Sequence, residues 1–172
     1  KILDKLNGFF VFAIYDNQTE NLFIARDRMG IKPLLIYQDE DKLLFASEMK
    51  ALLAMDLKPT LSQEALYLYL QLSYLPPPYS IFKEVYKLMA GTYLHIQNGE
   101  VSTHTYYEIP YNEEKLTSKS YEAAQQQLQH LMEDSVRQRL VADVPLGTFL
   151  SGGIDSSVIT ALAVRHHPKI ST

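Results

Sequence analysis

Over roughly the first hundred residues, apolar positions come in short runs separated by polar turns; over the last fifty or so they recur at three- and four-residue spacing. The first pattern predicts sheet. Residues 9–16, Phe-Phe-Val-Phe-Ala-Ile-Tyr-Asp, are almost continuously apolar and read as a strand buried on both faces. A polar turn at 17–21 leads into 22–26 as the second arm of a hairpin, and 34–37 and 43–46 repeat the pattern around the acidic turn Asp39-Glu40-Asp41. Residues 92–97 and 101–108 flank Asn98-Gly99, a dipeptide that tolerates the positive backbone angles of a tight hairpin. Helices interrupt the sheet. Ser47 can cap one over 48–55 with Leu52 and Leu53 as its stripe, and Ser62 one over 63–72 with Leu66, Leu70 and neighbouring tyrosines on one face. Pro76-Pro77-Pro78 then forces an extended segment.

Composition turns polar and charged at 112–119, which reads as a linker. Beyond it Tyr121, Ala124, Leu128, Leu131, Met132, Val136 and Leu140 mark an amphipathic helix. Pro145 ends that stretch, 146–150 reads as a buried parallel strand, and 155–166 as the helix that follows a glycine-bearing loop. The expected class is therefore α+β followed by α/β. With no initiator Met at Lys1, strand pattern from the first dozen residues, and a stop at Pro168 to Thr172 where a further strand is due, the chain reads as cut on both sides.

Composition narrows the chemistry. Sixteen basic against twenty acidic residues give a net charge of −4, and the basic residues are scattered, so a nucleic-acid surface is not expected. No apolar run approaches the roughly 20 residues that cross a bilayer, which favours a cytoplasmic protein acting on small polar molecules. With no Cys, any chemistry here uses oxygen, nitrogen or a bound nucleotide.

The candidate site is Leu150-Ser151-Gly152-Gly153-Ile154-Asp155-Ser156-Ser157, between the expected strand and helix. Two glycines let backbone approach an anion, three serines add hydroxyls, and the helix start contributes unpaired N–H groups and partial positive charge. Together these make a phosphate cradle, in which Asp155 is intelligible as the holder of a bridging divalent cation, Mg²⁺ being expected. The competing motifs fail on single residues: Ile154 stands where a Walker A loop needs Lys, Ser156 where a dinucleotide fingerprint needs Gly, and Phe149 where a nucleophile elbow needs Gly. The alternative is a plain helix-capping turn.

Ser-Gly-Gly-Ile-Asp-Ser-Ser resembles the pyrophosphate loop of ligases that activate a carboxylate as an acyl-adenylate, and Asp143-Val144-Pro145-Leu146-Gly147 is similar to its lead-in in asparagine synthetases. Upstream, residues 6–16, the 22–34 stretch with Ala25-Arg26-Asp27-Arg28-Met29-Gly30-Ile31-Lys32-Pro33-Leu34, residues 45–52 and residues 81–88 resemble, in order, a class II glutamine amidotransferase domain. The resemblance implies the C-terminal part of an N-terminal-nucleophile (αββα) glutaminase domain over 1–111, the linker 112–119, and the start of an adenine nucleotide alpha hydrolase-like ATP-binding domain over 120–172. It implies synthesis of asparagine from aspartate, glutamine and ATP with Mg²⁺, through an aspartyl-adenylate attacked by ammonia carried inside the protein. Another amide ligase on this scaffold, such as a β-lactam synthetase or peptide-cyclising homologue, and a non-catalytic relative are the other readings. By the same resemblance, Phe149, Leu150, Ser151, Gly152, Gly153, Asp155, Ser156 and Ser157 would bind ATP, Asp155 reaching the metal. The family's catalytic Cys and its glutamine-gripping Arg, Asn-Gly and Asp match no residue here, so this stretch carries no glutaminase catalytic residue. Homodimerisation stays open.

Four other features read as structural. Arg26-Asp27 is expected to be an ion pair fixing the following turn, and Glu48 to serve the helix dipole. His166 and His167, about 100° apart on a helix, cannot share one ion comfortably. The paired tyrosines, without basic neighbours, read as packing residues.

Overall fold

A computed structural model describes residues 2–111 and 120–172. The chain divides into two compact units, Lys1–Tyr111 and Asn112–Thr172; the stretch read as a linker, 112–119, lies outside the described residues.

The first unit is built on two antiparallel sheets. Strands β1 (Val11–Asp16), β2 (Asn21–Arg26), β6 (Thr92–Gln97) and β7 (Glu100–Thr105) form one, in the order β1-β2-β6-β7. Strands β3 (Leu35–Gln38), β4 (Leu43–Ala46) and β5 (Val85–Lys87) form the other, in the order β4-β3-β5. The β6–β7 connection is Asn98-Gly99 with φ of 52° and 80°, the double positive twist the dipeptide was expected to supply.

Alternation along the strands explains how the sheets pack. Ile24 and Leu94 project from the first sheet onto Ile36 of the second, and with Leu34 and Leu88 they form a core in which each is at most 2% exposed. The opposite face of β3 carries Leu35 and Tyr37, which with Val85 bury Leu52 of helix α1 (Met49–Leu53). The strand buried on both faces is thus β3. This corrects the expectation for β1: as an edge strand it leaves Ile14 and Tyr15 more than half exposed, because a continuous apolar run is buried on two sides only where layers cover both.

Helix caps follow the sequence in part. Ser62 accepts a hydrogen bond from the Ala65 N–H at 3.2 Å and starts α2 (Gln63–Leu72). Its expected apolar face is not buried, however: Leu70 is 73% exposed and Ala65 is the residue turned inward. Ser47 does not cap α1; the N-cap is Glu48, whose extended backbone places it before the first turn and whose carboxylate pairs with Lys50 on the surface. The proline run is not extended, since the Tyr79 N–H closes a turn onto Pro76 O across a cis Pro77-Pro78 bond.

In the second unit, Ser120 caps α3 (Tyr121–Gln138) through the Ala123 N–H, and α4 (Ile154–His166) packs against it, with His166 Nε2 3.3 Å from Glu133 Oε1. The strand expected at 146–150 is reduced to one parallel bridge, Gly147 to Ser171, formed by Thr148 N–H to Ser171 O and Ser171 N–H to Leu146 O. One bridge covers neither face of that segment, and Phe149 is fully exposed. Among the described residues no helix is long and apolar enough to cross a membrane.

Candidate functional site

Helix α4 begins where Gly153, with extended backbone, follows Gly152 at φ +83°, a left-handed conformation that favours glycine. A Cβ added at Gly152 would meet nothing within 4 Å, so space beside the turn is open. Gly153 is the N-cap and its side chain supplies no cap, so the first turn of α4 must find other acceptors. Ser157 N–H closes the first helical bond onto Gly153 O at 3.1 Å. The N–H groups of Gly152, Gly153, Ile154, Asp155 and Ser156 meet no acceptor among the described residues, and they lie at the N-terminal, positive end of a 13-residue helix.

The hydroxyls are placed differently from the amides. Ser156 and Ser157 both donate to Gly153 O, at 3.0 and 2.8 Å, and Ser156 shares a 3.1 Å bond with Ser151. In this geometry the free donors are main-chain amides, while the serines brace the turn. Asp155 lies exposed in the first turn, a favourable place for a carboxylate at a helix start. No cluster of three or more His, Cys, Asp or Glu among the described residues could hold a metal by itself. A lone carboxylate still fits Mg²⁺, which keeps most of its water and takes further oxygens from phosphate. Phe149 and Leu150 stand exposed beside the loop, so the eight candidate residues all fall within positions 149–157, with Ile154 alone left out of that stretch.

Sequence reasoning passed over Thr148 and Thr160, whose hydroxyls meet at 3.0 Å beneath the lead-in to this turn. Thr160 is the polar member of the three buried residues of α4, with Leu162 and Ala163. A mostly apolar cavity of about 570 Å³ lies between α3, α4 and residues 146–148, walled by Leu131, Val136, Leu140 and Ile159 with Ser135, Arg139 and Thr148 as its polar residues.

The Arg26-Asp27 pair is not an ion pair, as expected from sequence, but a double backbone clamp. The Arg26 guanidinium donates to Lys32 O at 2.8 Å, Gly30 O at 2.6 Å and Leu88 O. The Asp27 carboxylate, 1% exposed, accepts from the N–H groups of Met29, Ile31 and Lys32 at 3.0–3.1 Å. Burial opposes ionisation of Asp27, yet these bonds prevail and hold its pKa below the ordinary carboxylate value. The two side chains reach different parts of one turn, so each satisfies main chain in place of the other. Tyr106 donates to Arg26 O and Arg28 stacks over Tyr107, so these tyrosines are structural too.

Residues 1–107 match the family described as glutamine amidotransferase domain, and 127–172 match asparagine synthase. Two Bacillus subtilis asparagine synthetases [glutamine-hydrolyzing] are 34% and 36% identical, over 98% and 97% of this chain and 26% and 27% of their own lengths. A Gibberella zeae amidase is 34% identical over 99% of this chain and 25% of its own. A glutamine phosphoribosylpyrophosphate amidotransferase structure from B. subtilis overlaps 95% of this chain and 32% of its own at 14% identity and TM-score 0.42, too slight a likeness to bear on the fold. The first unit, with its antiparallel sheets, is therefore of the glutamine amidotransferase class. Continuing into an asparagine synthase segment, the chain belongs to the glutamine-hydrolysing asparagine synthetase family. It spans about a quarter of the length of the curated relatives it matches.

Proposed function

We propose that the protein makes asparagine from aspartate, with glutamine as nitrogen donor and ATP cleaved to AMP and pyrophosphate through an aspartyl-adenylate. Residues 1–111 belong in this reading to an N-terminal-nucleophile glutaminase domain, 112–119 to a linker, and 120–172 to the start of an adenine nucleotide alpha hydrolase-like domain, in a cytoplasmic enzyme. The observation that carries it is the open turn at the start of α4, with five consecutive main-chain amides that meet no acceptor among the described residues.

In this reading, the amides of 152–156 take the phosphate oxygens that become pyrophosphate, Ser151, Ser156 and Ser157 brace the turn, and the backbone and side chains of Phe149 and Leu150 flank the adenosine. Asp155 would hold Mg²⁺, which supplies charge neutralisation on the phosphates. Such donors lower the barrier when they bind the departing pyrophosphate more strongly than the ground-state triphosphate.

Asp155→Ala in the full-length protein should abolish aspartate-dependent pyrophosphate release with either glutamine or free ammonia, while glutamine hydrolysis survives at least in part. Normal ammonia-dependent turnover in that variant would refute the assignment. The amidase among the relatives favours one second reading, an amide ligase of this scaffold acting on another carboxylate. Pyrophosphate release that needs a carboxylate other than aspartate would select it.

A further inference from the structure

The nucleotide turn is held from its two ends. Between Thr148 and Ser151 the chain leaves its bridge with Ser171 and crosses to α4 with Phe149 and Leu150 exposed, and neither residue's backbone hydrogen-bonds to the protein among the described residues. At the far end, Ser151 meets Ser156 through their hydroxyls at 3.1 Å. At the near end, Thr148 is pinned twice: its N–H donates to Ser171 O at 2.8 Å, and its Oγ1 accepts from Thr160 Oγ1 at 3.0 Å.

Thr160 is 9% exposed, two turns into α4. A threonine inside a helix commonly returns its hydroxyl proton to the carbonyl four residues back. Thr160 instead sends it across to Thr148, turning a helix-internal hydroxyl into a tie between the helix that presents the amides and the segment that leads into them. A valine would fill the same space. It could not specify direction, because dispersion contacts are non-directional whereas a hydrogen bond between hydroxyls weakens steeply away from linearity.

We propose that Thr160, acting through Thr148, is a positioning residue for nucleotide binding: their bond sets where the chain departs from its bridge, and so the spacing between the 149–150 backbone and the amides of 152–156. This rests on the nucleotide reading of that turn.

The test uses the full-length protein with Thr160→Val, Thr160→Ser and the double change Thr148→Val/Thr160→Val, the last leaving no hydroxyl stranded. Loss of one such bond predicts that the valine variants raise Kd and KM for Mg·ATP about fivefold. Their kcat at saturating ATP should stay near the unsubstituted value, the serine variant should restore KM, and amide exchange at 149–153 should quicken in the double variant. A merely structural role would lower Tm and leave KM in place. Unchanged KM and exchange in a protein that binds ATP would overturn the positioning role alone. Failure of the unsubstituted protein to bind Mg·ATP would overturn the nucleotide reading and this inference with it.

Discussion

The turn after β2 and the turn before α4 use the same parts to opposite ends. Each has an aspartate, a glycine with positive φ, and a row of main-chain amides. After β2, Asp27 is buried, receives three of those amides, and Gly30 is packed so closely that an added Cβ would sit 3.1 Å from Ala90 Cβ. Before α4, Asp155 is exposed, the amides of 152–156 meet no acceptor among the described residues, and a Cβ at Gly152 would meet open space. Buried main-chain groups are nearly always satisfied, so a turn that satisfies itself is scaffold. One that leaves successive amides at a helix start without an acceptor among the described residues has the donors that the proposed phosphate binding requires.

Removing the acceptor from the closed turn should break this contrast most severely. Asp27→Ala strands three inward-facing N–H groups beside the buried Arg26 charge, and should cost the first unit about 3–5 kcal/mol, read from its denaturant midpoint. Asp155→Ala should leave stability within about 0.5 kcal/mol, since it is an exposed surface position. Gly91→Ala comes next: at φ +65° its new Cβ would lie 2.3 Å from Tyr107 O, against backbone that cannot move aside, so a loss of about 2–3 kcal/mol is expected. Gly152→Ala, with positive φ but free space, should cost only about 1–2 kcal/mol and show mainly as weaker nucleotide binding.

Acid sharpens the comparison by a smaller amount. The Asp27 carboxyl is held below its ordinary value in the folded chain, so its stabilisation is fully present above the unfolded-state pKa. That contribution is lost as pH falls through the folded pKa. Unfolding midpoints of the first unit should therefore decline below about pH 4, and Asp27→Asn should flatten the decline. A variant as acid-sensitive as the unsubstituted chain would remove Asp27 from the account.

Much of this was legible in the residues. Ser62 begins a helix where a side-chain cap was expected, and Asn98-Gly99 closes a hairpin in register. Those signals are local, settled by a few neighbouring atoms. Burial was not, because it depends on which layers come to cover a segment. The apolar text of β1 and the shorter run of β3 look alike, yet one is an edge and the other a centre. The same holds for 146–150, where apolar residues met one bridging partner in place of a sheet. At the candidate site the letters located the turn but not the division of labour within it, since serines can donate to a ligand or to their own chain. Here Ser156 and Ser157 turn to Gly153 O, while the amides of 152–156 meet no acceptor among the described residues.

Amide hydrogen exchange at Gly152 to Ser156 in the full-length protein, with and without Mg·ATP, tests that division most directly. The account predicts fast exchange in the free protein and strong protection once nucleotide is bound. Amides already protected without nucleotide and unchanged by it would mean that the turn before α4 is as self-contained as the one after β2.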